Sequence, residues 1–277
     1  MNKPFTLRRA TLLLALTLPS FCWGFGPAPK TALIVNESGG IAPTDEAAAT
    51  TFLSGRLTAA GYTVTTNLGV PAGSLSGYNQ IWDIRFDAVF SGSDITAYVT
   101  YMSGGRALFV MGENGGCCGT RDTSIVALIT AAGGGTVTLE SNSANTQTVQ
   151  APFTGPVSLT TVTYAAIGGF LTTGNGAFIT KDTNTSGGAI VFGPGTMSNA
   201  ASGSLLSVLD VNFMDTANGG QGLSQALTDN LIAYLAAPSV IPTGPSGTPA
   251  PPSAILVLIG LGAAGMYTAY WRRQRAA

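Results

Sequence analysis

The stretch RALFVMGENGGCCGTR, residues 106–121, joins an apolar run to a glycine-rich turn. Leu108, Phe109, Val110 and Met111 follow one another without polar alternation, as in a strand buried on both faces inside a parallel sheet. Glycines at 112, 115, 116 and 119 let the chain turn sharply before a helix. The helix is carried by Ile125, Leu128, Ile129 and Ala132, spaced i, i+3, i+4 and i+7, and Gly133 to Gly135 close it.

Outward from this corner the same alternation repeats. TALIVN (residues 31–36) is a short β-branched strand, and a helix over 44–60 follows, with Thr44 as its N-cap and Asp45 and Glu46 in its first turn. Gly61 ends it. Strands at 62–66 and 80–86 (QIWDIRF) come next, then a helix carried by Ile95, Tyr98, Val99 and Met102 and closed by Gly104-Gly105. Residues 136–176 dissolve into Thr, Ser and Gly, the pattern of short strands or an insertion. Order returns at 177–180, 188–193 and 207–213, and Leu223, Leu227, Leu231 and Tyr234 or Leu235 form a closing amphipathic helix. Strands joined by helices predict an α/β fold: a flavodoxin-like, doubly wound, mainly parallel sheet in one domain over residues 25–237.

Both ends of the chain differ from this middle. Residues 1–24 have a basic start, an apolar stretch over 10–18 and the small residue Gly24, and read as a signal peptide. Residues 238–252 (PSVIPTGPSGTPAPP) read as a proline-rich spacer, reaching roughly 45 Å at about 3.1 Å per residue. Residues 253–270 (SAILVLIGLGAAGMYTAY) carry no charge and suffice for a transmembrane helix, with a plain buried helix as the alternative. Trp271 then falls at the interface, and Arg272, Arg273 and Arg275 in the tail 271–277 put that tail in the cytoplasm. The predicted location is therefore outside the cytoplasm, on the membrane or cell surface.

Of 277 residues 45% are hydrophobic, enough for a core, and only 9% are charged. The chain contains no histidine, which removes every catalytic triad that uses imidazole, every imidazole metal ligand and every histidine pH switch. The formal charge of −1 is unevenly spread. Between the apolar ends lie six basic residues against all thirteen acidic ones, a local net of −7, so nucleic-acid binding is not expected. Nothing in the sequence asks for a cofactor.

In a parallel sheet ligands bind at the carboxyl ends of strands, which directs attention to the loop over 111–121. Its backbone N–H groups stand at a helix N-terminus, and Glu113, Asn114 and Arg121 are candidate ligand-binding residues. Cys117 is a candidate nucleophile with Glu113 as its proton acceptor; the alternatives for Cys117 and Cys118 are a vicinal disulfide, inert thiols or metal binding. Asp83, Arg85 and Asp87 end the preceding strand and form either a local ion pair or, with Glu113, a polar cleft for a small ligand or a carboxylate pair for glycoside hydrolysis. Asp182, Asn184 and Ser186 match the opening of a calcium loop, against the reading of an ordinary tight turn; Gly193 stands where the loop would end in glutamate. Asp210 and Asp215 flank the last strand's end, as cleft residues or as caps and turns.

The strand–turn–helix corner resembles a nucleophile elbow, G-x-S-x-G or G-x-C-x-G. With TALIVN, LTAAGYTV, YNQIWDIRF and RALFVMGENGG, the domain resembles the class I glutamine amidotransferase-like superfamily, whose flavodoxin-like sheet carries a cysteine at this corner. Here the corner reads GENGG: Asn114 stands at the nucleophile position, and the partner histidine does not exist. The resemblance implies a member that kept the scaffold and lost the chemistry, serving ligand binding or envelope structure; the alternative is a hydrolase acting on carbohydrate or amide bonds through Glu113, Asp83 or a cysteine. The order of Pro-rich motif, apolar helix and arginines over the last 29 residues resembles a PEP-CTERM sorting signal, with Ala250 where that signal has glutamate. It implies an exosortase-like protease as a partner, beside the membrane itself and an envelope polysaccharide or protein.

Overall fold

The computed structural model describes residues 29–236, apart from Ser38 and residues 217–219. The signal peptide, the Pro-rich spacer, the apolar segment 253–270 and the basic tail lie outside the described residues. Among the described residues no helix is long and apolar enough to cross a membrane.

The fold is mixed α/β. Its first half runs β1 (Lys30–Asn36), α1 (Pro43–Ala59), β2 (Tyr62–Leu68), β3 (Gln80–Asp83), α2 (Gly92–Ser103), β4 (Ala107–Met111) and α3 (Gly115–Ala132). Short strands follow: β5 (Val137–Glu140), β6 (Thr146–Val149), β7 (Thr161–Thr163), β8 (Gly169–Thr173), β9 (Ala177–Lys181), β10 (Ala189–Phe192) and β11 (Ser204–Val208). A 3-10 turn (Val211–Phe213) and α4 (Gln225–Ala236) end the domain.

Nine strands form one sheet in the order β2-β1-β3-β4-β11-β10-β9-β6-β7, and β5 pairs with β8 in a separate ribbon. The sheet is only half parallel. β2, β1, β3, β4 and β11 are mutually parallel, whereas β11–β10, β10–β9, β9–β6 and β6–β7 are antiparallel. The physical reason is connection length: residues 182–188 between β9 and β10 make a hairpin, and a parallel crossover needs a dozen residues or more. The segment 136–176, which shows little periodicity, supplies β6, the edge strand β7 and the ribbon.

Helices cover both faces. Leu53 and Leu57 of α1 and Leu227, Leu231 and Leu235 of α4 pack with Ile34, Trp82, Phe109 and Leu206 on one face. Tyr98 and Met102 of α2 and Ile125, Leu128 and Ile129 of α3 pack with Leu33, Ile81, Leu108 and Leu205 on the other. Every side chain of β4 is buried, the outcome its unbroken apolar run demands.

Element ends depart from the sequence reading where side chains intervene. α1 begins at Pro43, whose fixed φ suits a first helical turn, with Ala42 at the cap, so Thr44 is not the cap. β3 stops at Asp83 because the Arg85 N–H turns back onto Asp83 Oδ1 at 3.2 Å. The last strand stops at Val208, since Asp210 Oδ1 accepts the Asn212 N–H at 2.7 Å and caps the 3-10 turn. α3 starts inside the expected loop, so Cys117 and Arg121 are helical residues rather than loop residues, with a kink at Cys118 between them.

Candidate functional site

Asn114 is the N-cap of α3. Its Oδ1 accepts the Cys117 N–H at 3.1 Å, and its Nδ2 donates to Glu113 Oε1 at 2.9 Å. The side chain at the nucleophile position thus holds the helix start in place. Glu113 also accepts the Val211 N–H at 2.9 Å through Oε2, which ties the end of β4 to the segment after β11. Cys117 and Cys118 are joined by a disulfide, and Cys118 leaves helical geometry at φ −132° and ψ 33°. Gly112 is required here: a Cβ would stand 2.6 Å from a Leu209 methyl and collide with Asp122.

Asp83 is fully buried and saturated. It accepts from Arg85 Nε at 3.1 Å and Nη2 at 2.6 Å, from Tyr98 Oη at 2.6 Å and from Arg121 Nη2 at 3.1 Å. Burial pushes its carboxyl up, but Arg121 and Arg85 outweigh that and hold it below the ordinary aspartate range. Arg121 is itself fully buried, donates to Met111 O and Ala88 O at 2.9 and 2.8 Å, and lies 3.9 Å over the Phe90 ring. One guanidinium therefore fastens β3, β4 and the β3–α2 loop. The ion-pair alternative describes Asp83 and Arg85, with Arg121 added. Glu113 and Asp83 share no hydrogen-bond partner.

Two groups of acids lie at the carboxyl ends of the parallel strands, the first buried and the second with Glu46 buried and Glu37 and Asp87 half-buried. Glu113, Asp122 and Asp210 form the first. Burial raises Glu113, with Asp45 adding to it, and burial reinforced by the Glu113 charge brings Asp122 and Asp210 up to about 7. Asp122 Oδ1 accepts the Glu113 N–H at 3.2 Å, and Asp210 Oδ2 accepts the Ala165 N–H at 3.0 Å, so both hold backbone turns. Asp215 is buried just after the 3-10 turn. Asp122 also lines a cavity of about 280 Å³ with Glu140, Ser141 and Gly115.

Glu37, Glu46 and Asp87 form the second group, around the crevice between β1 and β3. β2 lies on one side of β1 and β3 on the other, so the chain reverses its direction of travel across the sheet at that point. Glu46 Oε1 accepts the Glu37 N–H at 2.5 Å, and Asp87 Oδ2 accepts the Ile41 N–H at 2.6 Å. Burial and then the neighbouring Asp87 push Glu37 up to about 8, while Glu46 rises to about 7 through burial. Against the effect of burial, the contact with Glu37 and the Ile41 N–H hold Asp87 low.

Sequence reading missed Glu37 and took Glu46 only as a first-turn acid. A carboxylate directly after the first strand, opposite another after the third, was the available signal once strand order was considered. Asp182 is consumed by its own turn: Oδ1 accepts from the Asn184 and Ser186 N–H groups at 2.7 and 3.1 Å, and Oδ2 from Ser186 Oγ and Ser143 Oγ at 3.0 and 3.2 Å. Asn184 and Ser186 thus serve a tight turn between β9 and β10. Among the described residues no group of three or more His, Cys, Asp or Glu side chains is arranged to hold a metal ion.

No protein-family model matches the chain, and no curated protein does. Among solved structures it is similar to the mmIFT52 N-terminal domain, with 12% identity and a TM-score of 0.55 over 73% of this chain and 96% of that one. It is also similar to exo-β-1,4-mannosidase Op5Man5 from Opitutaceae bacterium strain TAV5, with 14% identity and a TM-score of 0.49 over 76% of this chain but 36% of the mannosidase. A ThuA-like protein from Bacteroides uniformis ATCC 8492 gives 14% identity and a TM-score of 0.46 over 78% of this chain and 93% of that one. At such identities the likeness is one of α/β fold alone.

Proposed function

We propose that this is an exported bacterial cell-surface protein, membrane-tethered or sorted through its C-terminal segment, whose α/β domain binds a ligand and does not catalyse amidotransfer. The domain is read as flavodoxin-like and doubly wound in its parallel half, where the order β2-β1-β3-β4-β11 follows that pattern. It is read further as related to the class I glutamine amidotransferase-like superfamily, with Asn114 in the nucleophile's place.

The observation that carries this reading is the placement of the domain's two ends. Lys30, which opens β1, and Ala236, which closes α4, line one cavity of about 420 Å³. That cavity lies at the amino ends of the parallel strands. Glu37, Asp87 and Glu113 follow the carboxyl ends of β1, β3 and β4, at the opposite pole. A tether leaving from Ala236 therefore turns the ligand-binding pole away from the membrane, which suits a surface receptor or envelope component.

The test is the intact mass of the protein recovered from its producing cell. Loss of residues 1–24 is expected. Further loss of everything after about residue 252 assigns a sorting protease, whereas retention of residues 253–277 assigns a plain membrane anchor. A mass that keeps residues 1–24 overturns export.

A hydrolase acting through Glu113 is the second reading, favoured by its burial and raised carboxyl, as a general acid requires. Asp83 and the bridged cysteines add nothing to it. Glu113→Gln abolishing hydrolysis of an envelope glycan or amide, with the fold intact, would replace the binding reading by this one.

A further inference from the structure

We propose that the crevice at the carboxyl ends of β1 and β3 is a binding site for an alkylammonium group, received by Glu37, Glu46 and Asp87. The proposal rests on the ligand-binding reading above and names the ligand's chemistry.

Three oxygens decide it. Glu37 Oε1, Glu46 Oε2 and Asp87 Oδ1 are buried, and no donor among the described residues reaches any of them. Glu46 is the most telling, because its side chain is only 2% exposed and its second oxygen is left bare at the bottom of the group. A proton on Glu37 satisfies the contact with Asp87 and leaves Glu46 Oε2 as it was. Buried polar oxygens are ordinarily bonded, so an acceptor kept bare at a strand-end crevice marks a place for a donor from outside.

Charge selects the donor. Arg85 acts on Glu37 and Glu46 through its charge, but its hydrogen bonds go to Asp83, with Asp94 at 3.7 Å as its other ion-pair partner. Glu46 and Asp87 thus meet Glu37 without a bonded counter-charge, and a cation gains more from the group than a neutral polyol does. A primary ammonium is compact, stays charged at neutral pH and offers three N–H donors, one of them to the bare Glu46 Oε2. A metal ion fits less well, since the acids are not arranged as a metal-ligand group.

The rim selects the rest of the ligand. Ile41, Leu68 and Val89 are exposed by 67, 63 and 54%, and they stand just after β1, at the end of β2 and just after β3. Exposed aliphatic side chains beside a buried acidic floor suit an ammonium on an apolar stem. Gly40 packs against the acids: a Cβ there would stand 2.8 Å from both Asp87 oxygens and from Glu37 Oε1. A lysine side chain of a polypeptide and a free diamine share this chemistry.

The experiment is isothermal titration calorimetry on the full chain in detergent with n-pentylammonium chloride, with n-pentanol, calcium chloride and maltose as comparison probes. One saturable site for pentylammonium is expected, weakened at least about tenfold in Glu46→Gln and Asp87→Asn, as loss of a charge-assisted bond implies. Both variants alter buried groups, so Ile41→Ser, on the exposed rim, is the third. It should weaken pentylammonium and leave methylammonium unchanged. An acetylated lysine tripeptide and cadaverine separate the sources: tighter binding of the peptide assigns a polypeptide partner, and tighter binding of cadaverine a free amine. No saturable pentylammonium binding, equal binding in all three variants, or saturation by calcium or maltose in its place overturns the proposal. Export is judged separately by the intact mass, so a chain that keeps residues 1–24 and still binds pentylammonium sinks only the export reading.

Discussion

Arg121 donates to Asp83 Oδ1 at 3.1 Å with both side chains wholly out of solvent, and Arg85 approaches the same carboxylate at 2.6 Å from the other side. That carboxylate therefore faces two buried guanidinium groups; Arg85 has a second ion-pair partner in Asp94 at 3.7 Å, whereas Arg121 has Asp83 alone among the described residues. Replacing Asp83 by Asn keeps the shape and removes the charge, leaving Arg121 stranded between β3, β4 and the β3–α2 loop. Breaking a buried pair from one side costs about 3–5 kcal/mol. Urea denaturation of Asp83→Asn should show that loss, and a variant as stable as the parent would mean that the network carries no net weight.

Stability should fall as pH rises from about 4.5 to about 8. Asp122 and Asp210 are pushed up to about 7 in the fold, whereas in the unfolded chain such groups titrate near 3.9. The folded state holds their protons more tightly. Their stabilisation is complete below about pH 4 and declines toward pH 7, at up to about 1.4 kcal/mol per pH unit for each group. Asp83 acts oppositely: held low, it stabilises above about pH 4 and ceases to do so as the pH falls through its folded value. Melting temperature should peak in mild acid, and Asp122→Asn, which keeps the acceptor for the Glu113 N–H, should flatten the decline. A melting temperature that climbs steadily from pH 4.5 to 8 would contradict this assignment.

The parallel half of the fold was legible because its strands announce themselves. Leu108 to Met111 allow no amphipathic reading, and Ile125, Leu128 and Ile129 allow only a helix. The antiparallel half was not, since Gln147 in β6 is buried by hydrogen bonds to Ser143 Oγ and the Gly188 N–H rather than by hydrophobicity. For the site, residue type marked Glu113, Asp83 and Arg121 as notable, but local sequence does not say whether a charge faces a cleft or another charge. Glu37 and Asp87 lie fifty residues apart in sequence and meet only because β1 and β3 are neighbours.

Asn114 should matter to stability and not to chemistry. Removing its cap in Asn114→Ala should cost about 1 kcal/mol, as N-cap truncations do, and Asn114→Ser should recover most of it. Asn114→Cys restores the residue type of the resembled superfamily but supplies no histidine, so glutamine hydrolysis should stay at background. Hydrolysis by Asn114→Cys would show that another base, with Glu113 the nearest, can serve the thiol.

Calcium should leave the melting temperature unchanged, because the turn after β9 satisfies itself. Asp182 already receives two backbone N–H groups and two hydroxyls, which gives a cation no free carboxylate oxygen to gain. The same turn carries a conformational cost that can be removed. Thr185 adopts φ 84°, a left-handed geometry that a β-branched residue disfavours by about 1–2 kcal/mol. Thr185→Asn should therefore stabilise by several tenths to about 1 kcal/mol, since asparagine tolerates that region and leaves the Asp182 bonds in place. A rise in melting temperature with calcium, lost in Asp182→Asn, would restore the calcium-loop reading of Asp182, Asn184 and Ser186.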